Sequence, residues 1–142
     1  MTENAGEVSP EIAELGVGAK NEPVAALLGM KLVELKPGYA KITMKLKPEF
    51  LNFHGLVFGG VIMAVADQAF AYASNSLSYP SVASQFNIHF VAGAKADDEL
   101  IAEGRVVRSG RRVGISEMMV TNQEGKLIAR ATGTTIPIAK TS

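Results

Sequence analysis

Between Gly59 and Ser76 the chain reads GGVIMAVADQAFAYASNS, a run rich in alanine and in straight-chain or aromatic apolar residues. These residue types favour a helix of about five turns. The run is apolar nearly all round, and such a helix must be covered on most of its sides. At 142 residues, 47% of them hydrophobic, the chain is long enough for one core and too short for two. One domain therefore has to supply the cover from the rest of its own sequence.

That cover reads as strands. Ile42, Met44 and Leu46 alternate with Lys41, Thr43, Lys45 and Lys47, the period of a sheet with one wet face. Strand candidates lie at Lys31–Leu35 and Tyr39–Leu46, joined by Pro37-Gly38, and after the helix at Val82–Val91, Leu100–Arg108, Val113–Thr121 and Leu127–Ile138. Asn122 to Gly125 reads as the last hairpin turn. A short helix at Pro23–Leu28 stops at Gly29. Residues 1 to 21 read as a loosely held arm that adds little to function, with one short helix capped by Ser9 and opened by Pro10. The expectation is an α+β fold with an antiparallel sheet, residues 22–142 forming the single domain.

Fourteen basic and fourteen acidic residues cancel and form no long block, so neither nucleic acid nor an anionic membrane is an expected partner. The chain has no cysteine and only His54 and His89, a poor set of metal ligands, and no metal is expected. The apolar stretch from Phe53 to Ala66 is broken by His54 and three glycines, short of a membrane span. Met1 to Val8 is polar and acidic, unlike a secretory leader, which makes a cytoplasmic location the expectation.

Asp67 stands out because the other clearly polar side chains between Gly59 and Ala73 are Gln68 and the Tyr72 hydroxyl. Burying a carboxylate costs several kcal/mol unless it is paired or its pKa rises, so its presence there points to use. The alternative is a structural carboxylate that caps a loop or pairs with Arg105 or Arg108. Just before the helix, Asn52 to Gly60 forms a glycine-bearing loop whose backbone N–H groups, with the positive end of the helix dipole, can stabilise an oxygen gaining negative charge. A tight turn that merely needs glycine dihedrals is the plainer reading of the same glycines.

The order Asn52, His54-Gly55, Gly59-Gly60 and Asp67 resembles the phenylacetyl-coenzyme A thioesterase branch of the hotdog superfamily. The likeness continues through Asn87 to Phe90, Ala102 to Gly104, Ser109 to Arg112 and Gly125 to Thr134, and covers roughly residues 22 to 138. The resemblance implies a sheet wrapped around the central helix, dimers joined edge to edge, commonly paired into tetramers, and hydrolysis of an acyl-coenzyme A thioester. No separate cofactor is implied, since coenzyme A is part of the substrate. Residue by residue, Asp67 matches the catalytic carboxylate, Gly59 the glycine whose N–H polarises the carbonyl, and Asn52 a loop asparagine near the attacking water. Two positions depart from the pattern. Phe58 stands where most relatives have histidine before the glycine pair, and a strand hydroxyl falls at Ala83, with Ser84 beside it as substitute. Gly60 and His54 complete the loop's expected contacts with substrate. Arg108, Arg111 and Arg112 around a glycine turn are expected to hold the phosphates of coenzyme A, a solvated turn being the plain alternative.

Spacing adds a requirement. Gly59 and Asp67 are eight residues apart, about 12 Å along a helix, whereas reacting groups must approach within about 3–3.5 Å. The two must then come from different chains, with a homodimer as the minimal active unit and two equivalent sites at a twofold axis. Asp67 acts either as general base or as nucleophile, and a small aromatic or medium-chain acyl group is the expected substrate. The alternative function is an acyl-coenzyme A binder that has lost efficient turnover, a reading that Phe58 makes credible.

Overall fold

The computed structural model describes residues 10–139. Helices α1 (Pro10–Lys20) and α2 (Pro23–Leu28) precede strands β1 (Met30–Lys36) and β2 (Tyr39–Lys45). A single 3-10 turn at Pro48–Phe50 leads to helix α3 (Gly59–Asn75), then β3 (Ser81–Phe90), β4 (Glu99–Ser109), β5 (Gly114–Thr121) and β6 (Leu127–Pro137). The six strands form one antiparallel sheet in the order β1-β2-β4-β5-β6-β3. The long central helix packs on one face of that sheet, as expected from sequence. No helix among the described residues is long and apolar enough to cross a membrane.

The alternation read in β2 is the alternation of burial: Ile42, Met44 and Leu46 are buried and Lys45 is exposed. Phe70, Val65, Ala66 and Ala69 of α3 meet Leu100, Ala102, Met118, Val120 and Ile128 of the sheet in one core. Two glycines let the helix sit this low. A Cβ on Gly104 would lie 2.6 Å from the Ala69 carbonyl oxygen, and one on Gly133 would lie 2.5 Å from Phe70 Cζ. Either substitution drives the helix or the Phe70 ring away from the sheet.

One expectation needs correction, the burial of Asp67. The chain covers α3 on most sides, as expected, and leaves one stripe open at helical spacing: Met63, Asp67 and Ala71 are exposed and Gly60 and Ala64 are half-buried. A single sheet does not close around a helix, so this stripe faces away from the core, and Asp67 is exposed on the single chain instead of buried. The short helix expected within residues 1–21 forms as α1. Residues 10–20 are helical, and at the α1–α2 junction Glu22 Oε1 accepts hydrogen bonds from Gln68 Nε2 (2.6 Å) and the Tyr72 hydroxyl (2.8 Å) of α3. The expected cap Ser9 lies outside the described residues.

Candidate active site

Helix α3 and strand β3 run side by side in opposite directions. Phe90, the last residue of β3, lies against Gly59, the first of α3, while Asn75 at the other end bonds the backbone of Ser81. Asp67 sits between these ends, at a cavity of about 240 Å³ that it lines with Phe70, Ala71, Val82, Ala83 and Thr135. The residue is open on its helix face, yet protein atoms around the carboxyl desolvate it and push its pKa above the ordinary aspartate range. Among the described residues no cation pairs with it. The salt bridge found among the described residues joins Arg105 to Glu103 at 3.7 Å, and Arg105 also lies over the Tyr39 ring, so the alternative pairing of Asp67 with Arg105 does not form.

The start of α3 has no side-chain cap. Phe58 occupies the N-cap position in an extended conformation, and the first N–H groups of the helix, that of Gly59 foremost, lack intrahelical acceptors. Aromatic rings crowd this end: Phe90 Cζ would lie 3.2 Å from a Cβ on Gly59, and the Phe58 ring folds over Gly60. Both glycines have ordinary negative φ values, so a side chain added at either would meet these rings and not a backbone constraint.

Asn52 shapes the loop before the helix. Its Oδ1 accepts the N–H groups of His54 (2.9 Å) and Leu56 (3.1 Å), and Gly55 takes the positive φ that closes the turn. This leaves the Asn52 amide N–H₂ as its remaining donor. His54 is exposed, its ring 4.1 Å from that of Phe53.

The structure thus brings Asn52, His54, Phe58, Gly59 and Gly60 together at one end of α3 and sets Asp67 apart, about two turns along the same helix. Ser84 falls in the β3–β6 register shift and donates to the Thr134 carbonyl at 3.3 Å; Ala83, paired with Thr135, is the residue that lines the Asp67 cavity. Arg108 borders a small cleft whose other walls include Ser74, Ser81 and Thr135, three residues shared with that cavity, while Arg111 and Arg112 are exposed on the adjoining turn. Sequence reasoning missed Thr135, Ser81 and Asn75 as cavity residues. Thr135 reaches the cavity through the pairing of β3 with β6, and Asn75 through its bonds from the end of α3 to Ser81, neither of which a strand or helix pattern contains.

Residues 54–129 match the family model described as Thioesterase superfamily. A putative esterase of Archaeoglobus fulgidus is 39% identical over 81% of this chain and 75% of its own. The acyl-coenzyme A thioesterase PaaI of Escherichia coli is 34% identical over 78% of this chain and 79% of its own. The solved structure of the E. coli PaaI protein, from the phenylacetic acid degradation operon, superposes with a TM-score of 0.89 at 31% identity, covering 95% of this chain and 99% of that one. A Streptococcus mutans protein solved bound to acetyl CoA gives a TM-score of 0.75 at 29% identity, covering 80% of this chain and 91% of the other. The family match takes in more than half of the chain, from the loop before α3 to the last strand, and the chain belongs to the thioesterase superfamily.

Proposed function

We propose that this protein hydrolyses an acyl-coenzyme A thioester at a site shared between two copies of the chain, with Asp67 as the reacting carboxylate. The observation that carries the reading is the desolvated, unpaired carboxyl of Asp67 at the mouth of a cavity, on a helix face that its own chain leaves open. Structural carboxylates are paired or hydrogen-bonded; a carboxylate held without a partner is poised to take a proton or to attack. The naming of E. coli PaaI as an acyl-coenzyme A thioesterase and the acetyl CoA bound to the S. mutans neighbour support the substrate class.

A second copy supplies what one chain lacks. The open stripe of α3 adjoins the free edge of β3, where Val82, Phe90 and Val91 are exposed beside Met63 and Phe58. Two such surfaces related by a twofold axis cover each other and set the helices antiparallel, so that Gly59 and Asn52 of one copy face Asp67 of the other. The Gly59 N–H then binds the thioester oxygen as it gains charge, and Asn52 Nδ2 holds the water. Asp67 takes a proton from that water while the oxygen attacks the carbonyl carbon, or attacks it directly to form an anhydride that water opens. In both routes the C–S bond breaks and the thiol of coenzyme A leaves with a proton. Arg108, Arg111 and Arg112 bind the phosphates, His54, Phe58, Gly60 and Ser84 border the substrate, and the acyl group is a small aromatic or a medium chain. Pairing of dimers into tetramers and a cytoplasmic location complete the proposal.

The Phe58 ring over Gly60 favours one second reading, a protein that binds acyl-coenzyme A with little turnover, because an apolar ring replaces a polar contact at the helix start. Thiol release measured across a panel of acyl-coenzyme A esters separates the two. Turnover on at least one ester supports the thioesterase; tight binding of every ester without turnover supports the binder.

A further inference from the structure

We infer that the arm formed by α1 and α2 is the far wall of the acyl site and sets how long an acyl chain the protein accepts. The inference rests on the acyl-coenzyme A reading above. Beyond the Asp67 cavity lies a groove of about 520 Å³ between the arm and the C-terminal half of α3. The two spaces adjoin: Ala71, Asn75, Ser81 and Val82 line both. The groove is of the size in which proteins hold small ligands, about 300–1,000 Å³, and the Asp67 cavity is smaller. Leu15 and Gly18 of α1 and Pro23 of α2 form its outer side, so a group entering past Asp67 and Ala71 meets the arm.

Several polar groups around this groove bond one another, and the Glu14 carboxylate lies at its exposed rim. Glu22 accepts from Gln68 and Tyr72, and burial together with that carboxylate raises the Tyr72 pKa, so the hydroxyl remains a donor. The Asn75 side chain is bonded on both sides, its Nδ2 to the Ala71 and Ser81 carbonyls and its Oδ1 to the Ser81 N–H. The Tyr79 hydroxyl faces Glu14 at 3.4 Å. What the groove has left to offer is apolar surface, which suits the distal methylenes of a fatty acyl chain. Glu22 holds this wall in place by tying the arm to residues directly after and one turn beyond Asp67.

Gly18 offers a test that favours folding. It lies inside α1 with nothing within 4 Å of a Cβ built on it, and a leucine there suits a helix better than glycine while projecting into the groove. In Gly18→Leu the ratio of kcat/KM for dodecanoyl- to butanoyl-coenzyme A should fall about tenfold, the discrimination that one or two methylene-sized steps in an apolar pocket provide. Leu15→Ala enlarges the groove and should shift the optimum to longer chains, with circular dichroism and melting temperature confirming the fold of both. Unchanged length profiles in both folded variants would overturn the inference while leaving the thioesterase reading intact. Failure of the unaltered protein to hydrolyse any acyl-coenzyme A would remove that reading and this inference with it.

Discussion

The ring of Phe58 lies over Gly60 at the mouth of α3, so close that a Cβ on Gly60 would overlap Phe58 Cε2. In the proposed site an apolar ring therefore stands beside the Gly59 N–H where a side-chain donor to the thioester oxygen is absent. Phe58→His puts such a donor there, on a half-open residue whose replacement disturbs little packing. A hydrogen bond to a charged or polarised group contributes about 1.5–3 kcal/mol, so kcat should rise measurably in thiol-release assays. A lower kcat with unchanged stability would show that Phe58 selects the acyl group instead.

In the proposed mechanism Asp67 ties activity to pH and sets function against stability. Its raised pKa means that the folded chain holds the proton more tightly than the unfolded chain. The carboxyl therefore favours folding in acid, and that contribution is lost as pH rises through the folded pKa. Hydrolysis needs the ionised form, so the acid limb of the kcat profile should fall above the ordinary aspartate range. Asp67→Asn removes the desolvated charge, and its melting temperature at neutral pH should equal or exceed that of the unaltered protein, the difference shrinking towards acid. A clear loss of neutral-pH stability would mean that the carboxylate is a structural partner.

Most of the fold is legible in the sequence because its signals are local. Period-two alternation marks β2, Pro37-Gly38 and Asn122 to Gly125 mark turns, and Gly29 ends α2 with the positive φ that glycine permits. Even Gly110 to Val113, where β5 starts one residue later than the pattern suggests, is a turn closed by the Gly110 N–H on the Val113 carbonyl. The candidate site is less legible because its parts meet only through tertiary pairing. Asp67 is visible as a lone charge in an apolar helix, whereas Thr135 joins it through the pairing of β6 with Ala83. Glu22 bonds Gln68 and Tyr72 across more than forty positions of sequence, which no periodicity reports. The open stripe of α3 was hidden for a different reason: an apolar residue looks the same whether its own chain or another covers it.

Complementation tests the shared site. One chain carries Asp67→Asn, the other Asn52→Ala with Gly59→Pro, which removes the N–H. The backbone accepts this proline: Gly59 is the first helical residue and Phe58 before it is already extended. The nearest obstacle is the Phe90 ring, a movable side chain, and circular dichroism checks that the helix survives. Each homodimer should be nearly inactive. Co-refolded at equal amounts, half of the dimers are mixed and each of these has one intact site, so activity should return to about a quarter of normal. No recovery from well-folded mixed dimers would place both groups of each site within one chain.

The central claim is that the Asp67 carboxylate performs the hydrolysis, and the most direct measurement is thiol release by Asp67→Asn on the best ester of the panel. The amide keeps the size of the side chain but can neither accept a proton from water nor attack the carbonyl. With circular dichroism unchanged, kcat should fall by about 10² to 10⁴ fold. Full activity in the correctly folded variant would contradict the account.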